Sequence, residues 1–203
     1  LVVLFYAIYL VVRNGVISYQ KASGLAMFSG IVIFCFYSFI RLKEMLPVEE
    51  YGYDAIFFIL LILCFAWGGD TCAYFAGRAF GKHKLCPVVS PKKTVEGAIG
   101  GVLGTMVFGV LVTVIYSIAA DRMEEFTRSN IGVSMYVIIA LLACVAAVLG
   151  IYGDLFASVI KRQCGIKDYG TIFPGHGGIL DRFDSVMFIA PFVTMVVIAA
   201  FYN

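Results

Sequence analysis

Six long apolar runs, at about 1–12, 22–41, 55–77, 97–118, 133–153 and 184–202, alternate with short polar stretches that hold most of the charge. A helix needs about 20 apolar residues to cross a hydrocarbon core about 30 Å thick, and five of the runs approach that length. The first falls short of it, as a truncated span would. A buried core helix seldom runs so long, and a secretory signal would be one short segment rather than a series. Composition agrees: the chain is 62% hydrophobic and 14% charged, with a mean hydropathy of +0.96, far from soluble domains. The expected fold is all-α, a polytopic transmembrane helical bundle forming one integral-membrane domain over residues 1–203, with about six spans and its chemistry in the connecting loops. Leu1 already lies inside an apolar run, so further N-terminal sequence is expected before it.

Charge placement predicts the orientation. The loops at 13–21, 78–96 and 154–182 hold 2, 5 and 4 Lys/Arg, whereas the alternate loops hold only Arg41, Lys43, Arg122 and Arg128. By the positive-inside rule the first set is cytoplasmic. The two most polar segments, GRAFGKHKLCPVVSPKKTVEG from Gly77 and SVIKRQCGIKDYGTIFPGHGGILDRFDS from Ser158, then share one side of the membrane, as two halves of a site must. The six cysteines form no CxxC pair and sit in helices or cytoplasmic loops, which predicts neither a disulfide framework nor a metal–thiolate site.

Basic loops on the cytoplasmic side are common, but the local chemistry here goes further. Ser90 and Pro91 fit a helix N-cap and first helical position, which predicts a helix start with free N–H groups suited to phosphate. Lys92, Lys93 and Thr94 would add two cations and a hydroxyl. GRAFGKH is not a P-loop, because its spacing is wrong and no Ser or Thr follows Lys82. Gly97 with Gly101, and Gly100 with Gly104, are small-xxx-small pairs that predict close helix packing.

The acids are more telling, since positive-inside bias does not explain them. Asp70 follows Trp67-Gly68-Gly69 within an apolar run, about 12 Å below Arg78 at a rise of 1.5 Å per residue. An acid at that depth is a functional candidate. Asp181 and Asp184, three apart, share a helix face at the start of the last span, where helix capping is the alternative role. Asp154 follows GIYG and opens the same segment. Carboxylates without His or Cys partners suit Mg²⁺, which takes few protein ligands and fills its shell with water and phosphate oxygens. His176 stands alone in PGHGG, where loop hydrogen bonding and catalysis are both open. Together these features predict chemistry on a polyphosphate at the membrane surface, carried by positioning and charge neutralisation. Nothing points to nucleic acid.

The positions Ser158, Lys161, Arg162, Lys167, Asp168, Gly170, Pro174 to Gly178, Leu180, Asp181, Arg182 and Asp184 resemble the signature of the phosphatidate cytidylyltransferase (CDP-diacylglycerol synthase) family. Two upstream blocks are similar to the same family: Trp67, Asp70, Ala73, Tyr74, Gly77 and Arg78, then SPKKTVEG from Ser90. The resemblance covers about 54–190, with the catalytic signature at 154–185. It implies that CTP and phosphatidic acid give CDP-diacylglycerol and pyrophosphate, with Mg²⁺ as cofactor and a second cation left open. It implies a homodimer, multi-pass in a bacterial inner (plasma) membrane, with the active site facing the cytoplasm. On this analogy Asp154, Asp181, Asp184 and Lys167 are catalytic. Asp154 and Asp181 hold the metal as a unit, supported by Asp184. Substrate falls to Asp70, Ser90, Lys92, Lys93, Thr94, Ser158, Lys161, Arg162, His176 and Arg182. Asp168 is given a structural ion pair beside Lys167. Another CTP-using membrane enzyme, of polyprenol kinase or CDP-archaeol synthase type, would keep the loops and change the lipid pocket. A transporter would instead place polar groups at mid-membrane on broken, inverted-repeat helices.

Overall fold

The structure, a computed structural model, describes residues 8–9, 11–12, 19–122, 132–170 and 177–201. Its long helices are α1 (Tyr19–Met45), α3 (Asp54–Phe80), α4 (Val95–Arg122) and α5 (Val133–Gln163), followed by the shorter α7 (Val186–Phe201). Single turns α2 (Val48–Tyr51) and α6 (Leu180–Phe183) precede α3 and α7. A two-stranded antiparallel hairpin, β1 (Lys84–Cys86) and β2 (Ser90–Thr94), joins α3 to α4.

Four helices are long and apolar enough to cross a membrane: α1 from Ala26, α3, α4 and α5. They make this an integral membrane protein. The apolar run at 184–202 becomes a helix of 16 residues, about 24 Å long at 1.5 Å per residue. Asp184 and Ser185 form a turn ahead of it, and the Ser185 carbonyl accepts the first helical N–H bonds, from Phe188 and Ile189, at 3.4 Å. Most of the run at 1–12 lies outside the described residues.

The core gathers around α3. Leu61, Ile62 and Phe65 are fully enclosed, with Leu42 of α1, Ile139 of α5, and Ile189 and Val193 of α7 packed in the same cluster. The α3–α4 contact is closer than side chains allow. A methyl group at Gly97 would meet Ala73 O at 2.8 Å and Gly77 Cα at 3.1 Å, and one at Gly101 would meet Ala73 Cβ at 3.1 Å. At Gly100 and Gly104 it would fall on Ala76 Cβ and Cys72 Cβ, well inside van der Waals contact. The expected small-residue seam is therefore present along α4.

Polar pairs mark the two ends of the bundle. At one end the Tyr116 hydroxyl of α4 donates to Asp54 Oδ1 at 2.7 Å, its ring stacked on Phe57. Asp54 is only 1% exposed. Tyr116→Phe should therefore lower stability by about 1–3 kcal/mol, the scale for weakening the bonding of a buried carboxylate. Thermal unfolding in detergent measures it, and an unchanged melt would show that the pair contributes nothing. The hairpin and the segment after α5 lie together at the opposite end, where the chemistry-bearing residues collect.

One local expectation is corrected here. Ser90-Pro91-Lys92-Lys93-Thr94 is strand β2, not the start of a helix. The helix begins four residues later, where Thr94 Oγ1 accepts the Gly97 N–H at 3.1 Å and acts as the N-cap. Ser90 instead pairs with Cys86 across the hairpin.

Candidate active site

A cavity of about 500 Å³ opens at this end, walled by α3, the hairpin, α5 and the segment around α6. Of the residues expected to form a site, it is lined by Asp70, Lys92, Lys93, Thr94, Asp154, Lys161, Asp181, Arg182 and Asp184. The two polar segments, some 60 residues apart in sequence, thus meet in one chamber. Their contact is direct, through an ion pair between Lys93 Nζ of β2 and Asp154 Oδ2 of α5.

Backbone shape explains how the acids converge. Gly153, one residue before Asp154, packs so closely on the α6–α7 turn that a methyl group there would meet Asp184 O at 2.7 Å. Its missing side chain lets Asp184 come down beside α5. The same turn is fastened to α3 twice: Ser185 Oγ donates to Asp70 Oδ2 at 2.9 Å, and Trp67 Nε1 donates to Arg182 O at 3.0 Å. Asp70, Asp154 and Asp184 therefore face one another closely enough to interact. Burial first, then the charge of Asp154, pushes the Asp184 carboxyl up to about 7, with Asp70 adding to the effect and Lys161, 3.8 Å away, opposing it.

Asp181 lines the chamber with its carboxylate already engaged. Its Oδ1 accepts Lys161 Nζ at 2.8 Å, while Oδ2 accepts the N–H groups of Tyr169 at 2.8 Å and Gly178 at 2.9 Å. Both oxygens are engaged, and the side chain is only 5% exposed. Burial acts to raise its pKa, but the Lys161 ammonium and the two amides outweigh that and hold it below the usual carboxylate value. The glycine pair of the PGHGG turn makes this possible. Gly177 has φ +82°, and the space at Gly178 is filled by the backbone of Gly170. The structure thus ties Asp181 to the loop while it lines the same chamber as Asp154.

Lys161 is the buried cation at the centre of this network, 8% exposed, bonded to Asp181 and lying 5.2 Å from the Tyr169 ring centroid. Tyr169 in turn stacks on Phe28 of α1, and its hydroxyl donates to Ala157 O at 3.1 Å. Ser158 Oγ donates to Asp154 Oδ1 at 3.3 Å and so supports the acid from below.

Four expected residues among those described do not line the cavity: Ser158 sits behind Asp154, and the other three stand further off. Ser90 is in the hairpin, and Arg162 and Lys167 are exposed without lining the chamber. His176 lies outside the described residues. Asp168, expected in an ion pair with Lys167, makes none among the described residues and lines the cavity instead. Sequence reasoning assigned no role to Ser185, Tyr169 or Glu96. A serine beside Asp184 and a tyrosine beside Asp168 carry no periodic signal, because their partners lie 115 and 12 residues away in the chain.

A bundle of membrane-length helices with a recessed chamber of paired aspartates and lysines at one end defines a helical membrane protein with a highly polar site. A model of the cytidylyltransferase family matches residues 1–200. The chain belongs to that family. It is 32% identical over 191 residues to a phosphatidate cytidylyltransferase of Bacillus subtilis, covering 94% of this chain and 64% of that protein. Phosphatidate cytidylyltransferases of Staphylococcus haemolyticus and Staphylococcus aureus are 39% and 40% identical over 145 residues, covering 71% of this chain and 50% of theirs. The chain thus spans between half and about two thirds of the length of these relatives.

Proposed function

We propose that the protein transfers the cytidylyl group of CTP to phosphatidate, giving CDP-diacylglycerol and pyrophosphate. The observation that carries this reading is the meeting of Lys92 and Lys93 from the hairpin with Lys161, Arg182 and five aspartates in one chamber at the end of a membrane bundle. A phosphate oxygen of the lipid attacks the α-phosphorus of CTP. The bond from that phosphorus to the bridging oxygen breaks, and pyrophosphate leaves with the electron pair. No side-chain nucleophile is needed. The protein's task is to hold two polyanions in line and offset their repulsion. Lys92 and Lys93 can reach the phosphates from one wall, and Lys161 and Arg182 from the other.

The donor set fits Mg²⁺. The chamber's acids are carboxylates without His or Cys partners in the lining. Asp184, lifted to about 7 by burial first and then by the charge of Asp154, sits among acids whose mutual repulsion a cation would relieve. Among the described residues no group of three or more His, Cys, Asp or Glu is placed to hold a metal alone. That suits an ion that takes one or two carboxylates and completes its shell with water and phosphate oxygens. Asp154 and Asp184 are the proposed ligands. Asp181 joins them only if it gives up Lys161. When bound, the ion would neutralise charge on the triphosphate.

The same reading places this end of the bundle in the cytoplasm of a bacterial cell, supported by the Lys/Arg asymmetry. Its homodimeric state rests on family resemblance. Incubating the purified protein in detergent with labelled CTP and phosphatidate tests the proposal. Label should appear in CDP-diacylglycerol only with both substrates and Mg²⁺. Transfer to a polyprenol instead, or no transfer to lipid, would overturn it.

A further inference from the structure

We infer that Glu96 is a positioning residue, a clasp that holds the lysine-bearing hairpin over the site; the inference rests on the proposed nucleotide chemistry of that site. An isolated two-stranded hairpin is marginal in water. This one has strands of three and five residues, with a register irregularity between its two pairs. Something outside the ladder must fix it if Lys92 and Lys93 are to meet phosphate in a constant position.

Glu96 lies in the first turn of α4, two residues past the Thr94 cap, and its carboxylate turns back across the base of the hairpin. Oε2 accepts Lys82 N–H at 3.1 Å, both oxygens lie 3.2 Å from His83 N, and Oε1 lies 2.7 Å from His83 Nδ1. The adjoining Val95 N–H donates to His83 O at 2.9 Å. The strand entering the hairpin is thereby fastened to the helix leaving it. A carboxylate in the first turn is also favoured by the helix dipole. Another side-chain tether, the one across the chamber, is the Lys93–Asp154 pair. That tether is lost whenever Lys93 turns to substrate. Glu96 faces the hairpin base rather than the cavity, so it acts through the lysines and not on phosphate.

Glu96→Gln tests this, because it keeps the size of the side chain while removing its charge and half its acceptors. Hydrogen exchange of the hairpin amides over 82–94 should accelerate about tenfold, with exchange in α3 and α5 unchanged. KM for CTP should rise about tenfold with kcat within about twofold of the parent. His83→Ala, which removes only the ring contact, should give a smaller shift in the same direction. With Lys92→Ala and Lys93→Ala already present, adding Glu96→Gln should leave residual turnover unchanged within about twofold, since the clasp would have no cations left to position. Unchanged hairpin exchange, or a kcat loss with KM unmoved, or full additivity with the lysine variants would overturn the inference. Absence of turnover in the unaltered protein would remove the cytidylyltransferase reading instead, leaving the exchange measurement to decide the clasp.

Discussion

Asp154→Asn is expected to lower turnover by about 10²- to 10³-fold, the scale for losing one preorganised electrostatic partner at a reacting phosphate. The substitution keeps shape and removes charge at the point where α5, the hairpin and the α6–α7 turn converge. It also frees Lys93, so binding of free anions should strengthen while Mg²⁺ dependence shifts to higher concentration. Asp181→Asn should look different. Its carboxylate holds Lys161 and two loop amides, so its loss should disorder the loop and leave Lys161 underpaired. Breaking such a buried pair costs about 3–5 kcal/mol of stability. Turnover against Mg²⁺ concentration, with thermal unfolding of each variant, separates the two. If Asp181→Asn is as stable as the parent and shifts the Mg²⁺ curve as Asp154→Asn does, Asp181 is a metal ligand in the working enzyme and the division proposed here fails.

Gly100→Ala should destabilise the bundle by about 3 kcal/mol, at the upper end of overpacking costs. The added methyl falls on Ala76 Cβ in the α3–α4 seam, and neither group is the end of a flexible side chain that could turn aside. The helices must separate, and α3 carries Asp70 while α4 follows directly from the lysine hairpin, so activity should fall with stability. Ala76→Gly vacates the colliding position and should restore most of both in the double variant. Gly24→Ala, with nothing within 4 Å of the new methyl, should be neutral. Unfolding temperatures of the four proteins decide it. A Gly100→Ala variant that melts with the parent would show that the seam is looser than its geometry implies.

The parts legible in the sequence are those set by local pattern. Apolar runs give α1, α3, α4 and α5, and the glycines at intervals of four give the seam. Charge alternation groups the hairpin with the signature segment, and the structure brings both to one end of the bundle. What escaped depends on partners distant in the chain. Ser-Pro ahead of Lys92 has the chemistry of a helix start, yet a strand forms there, with Glu96 of the following helix fastening the chain back to Lys82 and His83, 14 and 13 residues earlier. No window-sized pattern contains that contact. Asp181 and Asp184 read alike at a spacing of three, but only Asp181 is met by Lys161 Nζ at bonding distance and by two loop amides. Among the described residues Asp184 accepts only the neighbouring Ser185 N–H at 2.9 Å, with Lys161 more distant at 3.8 Å, and is raised by burial and by Asp154. The apolar run at 184–202 shortens for a similar reason: Ser185 is drawn into its hydrogen bond with Asp70 and stays in the turn.

The Lys93–Asp154 and Lys161–Asp181 pairs have a consequence for what can enter the chamber. Each ammonium already has a counter-ion. A lone inorganic phosphate that recruits Lys93 strands a partly buried aspartate, and a lone divalent cation that takes Asp154 strands a lysine. Either exchange leaves a desolvated charge uncompensated. On the proposed nucleotide chemistry, a cation carried in on a triphosphate would trade partners on both sides at once, acid to metal and lysine to phosphate, as two salts exchange ions in solution. On that chemistry the resting pairs would act as a filter that favours a metal–nucleotide complex as a unit over its components, through the cost imposed on the wrong ligand rather than through extra contacts to the right one.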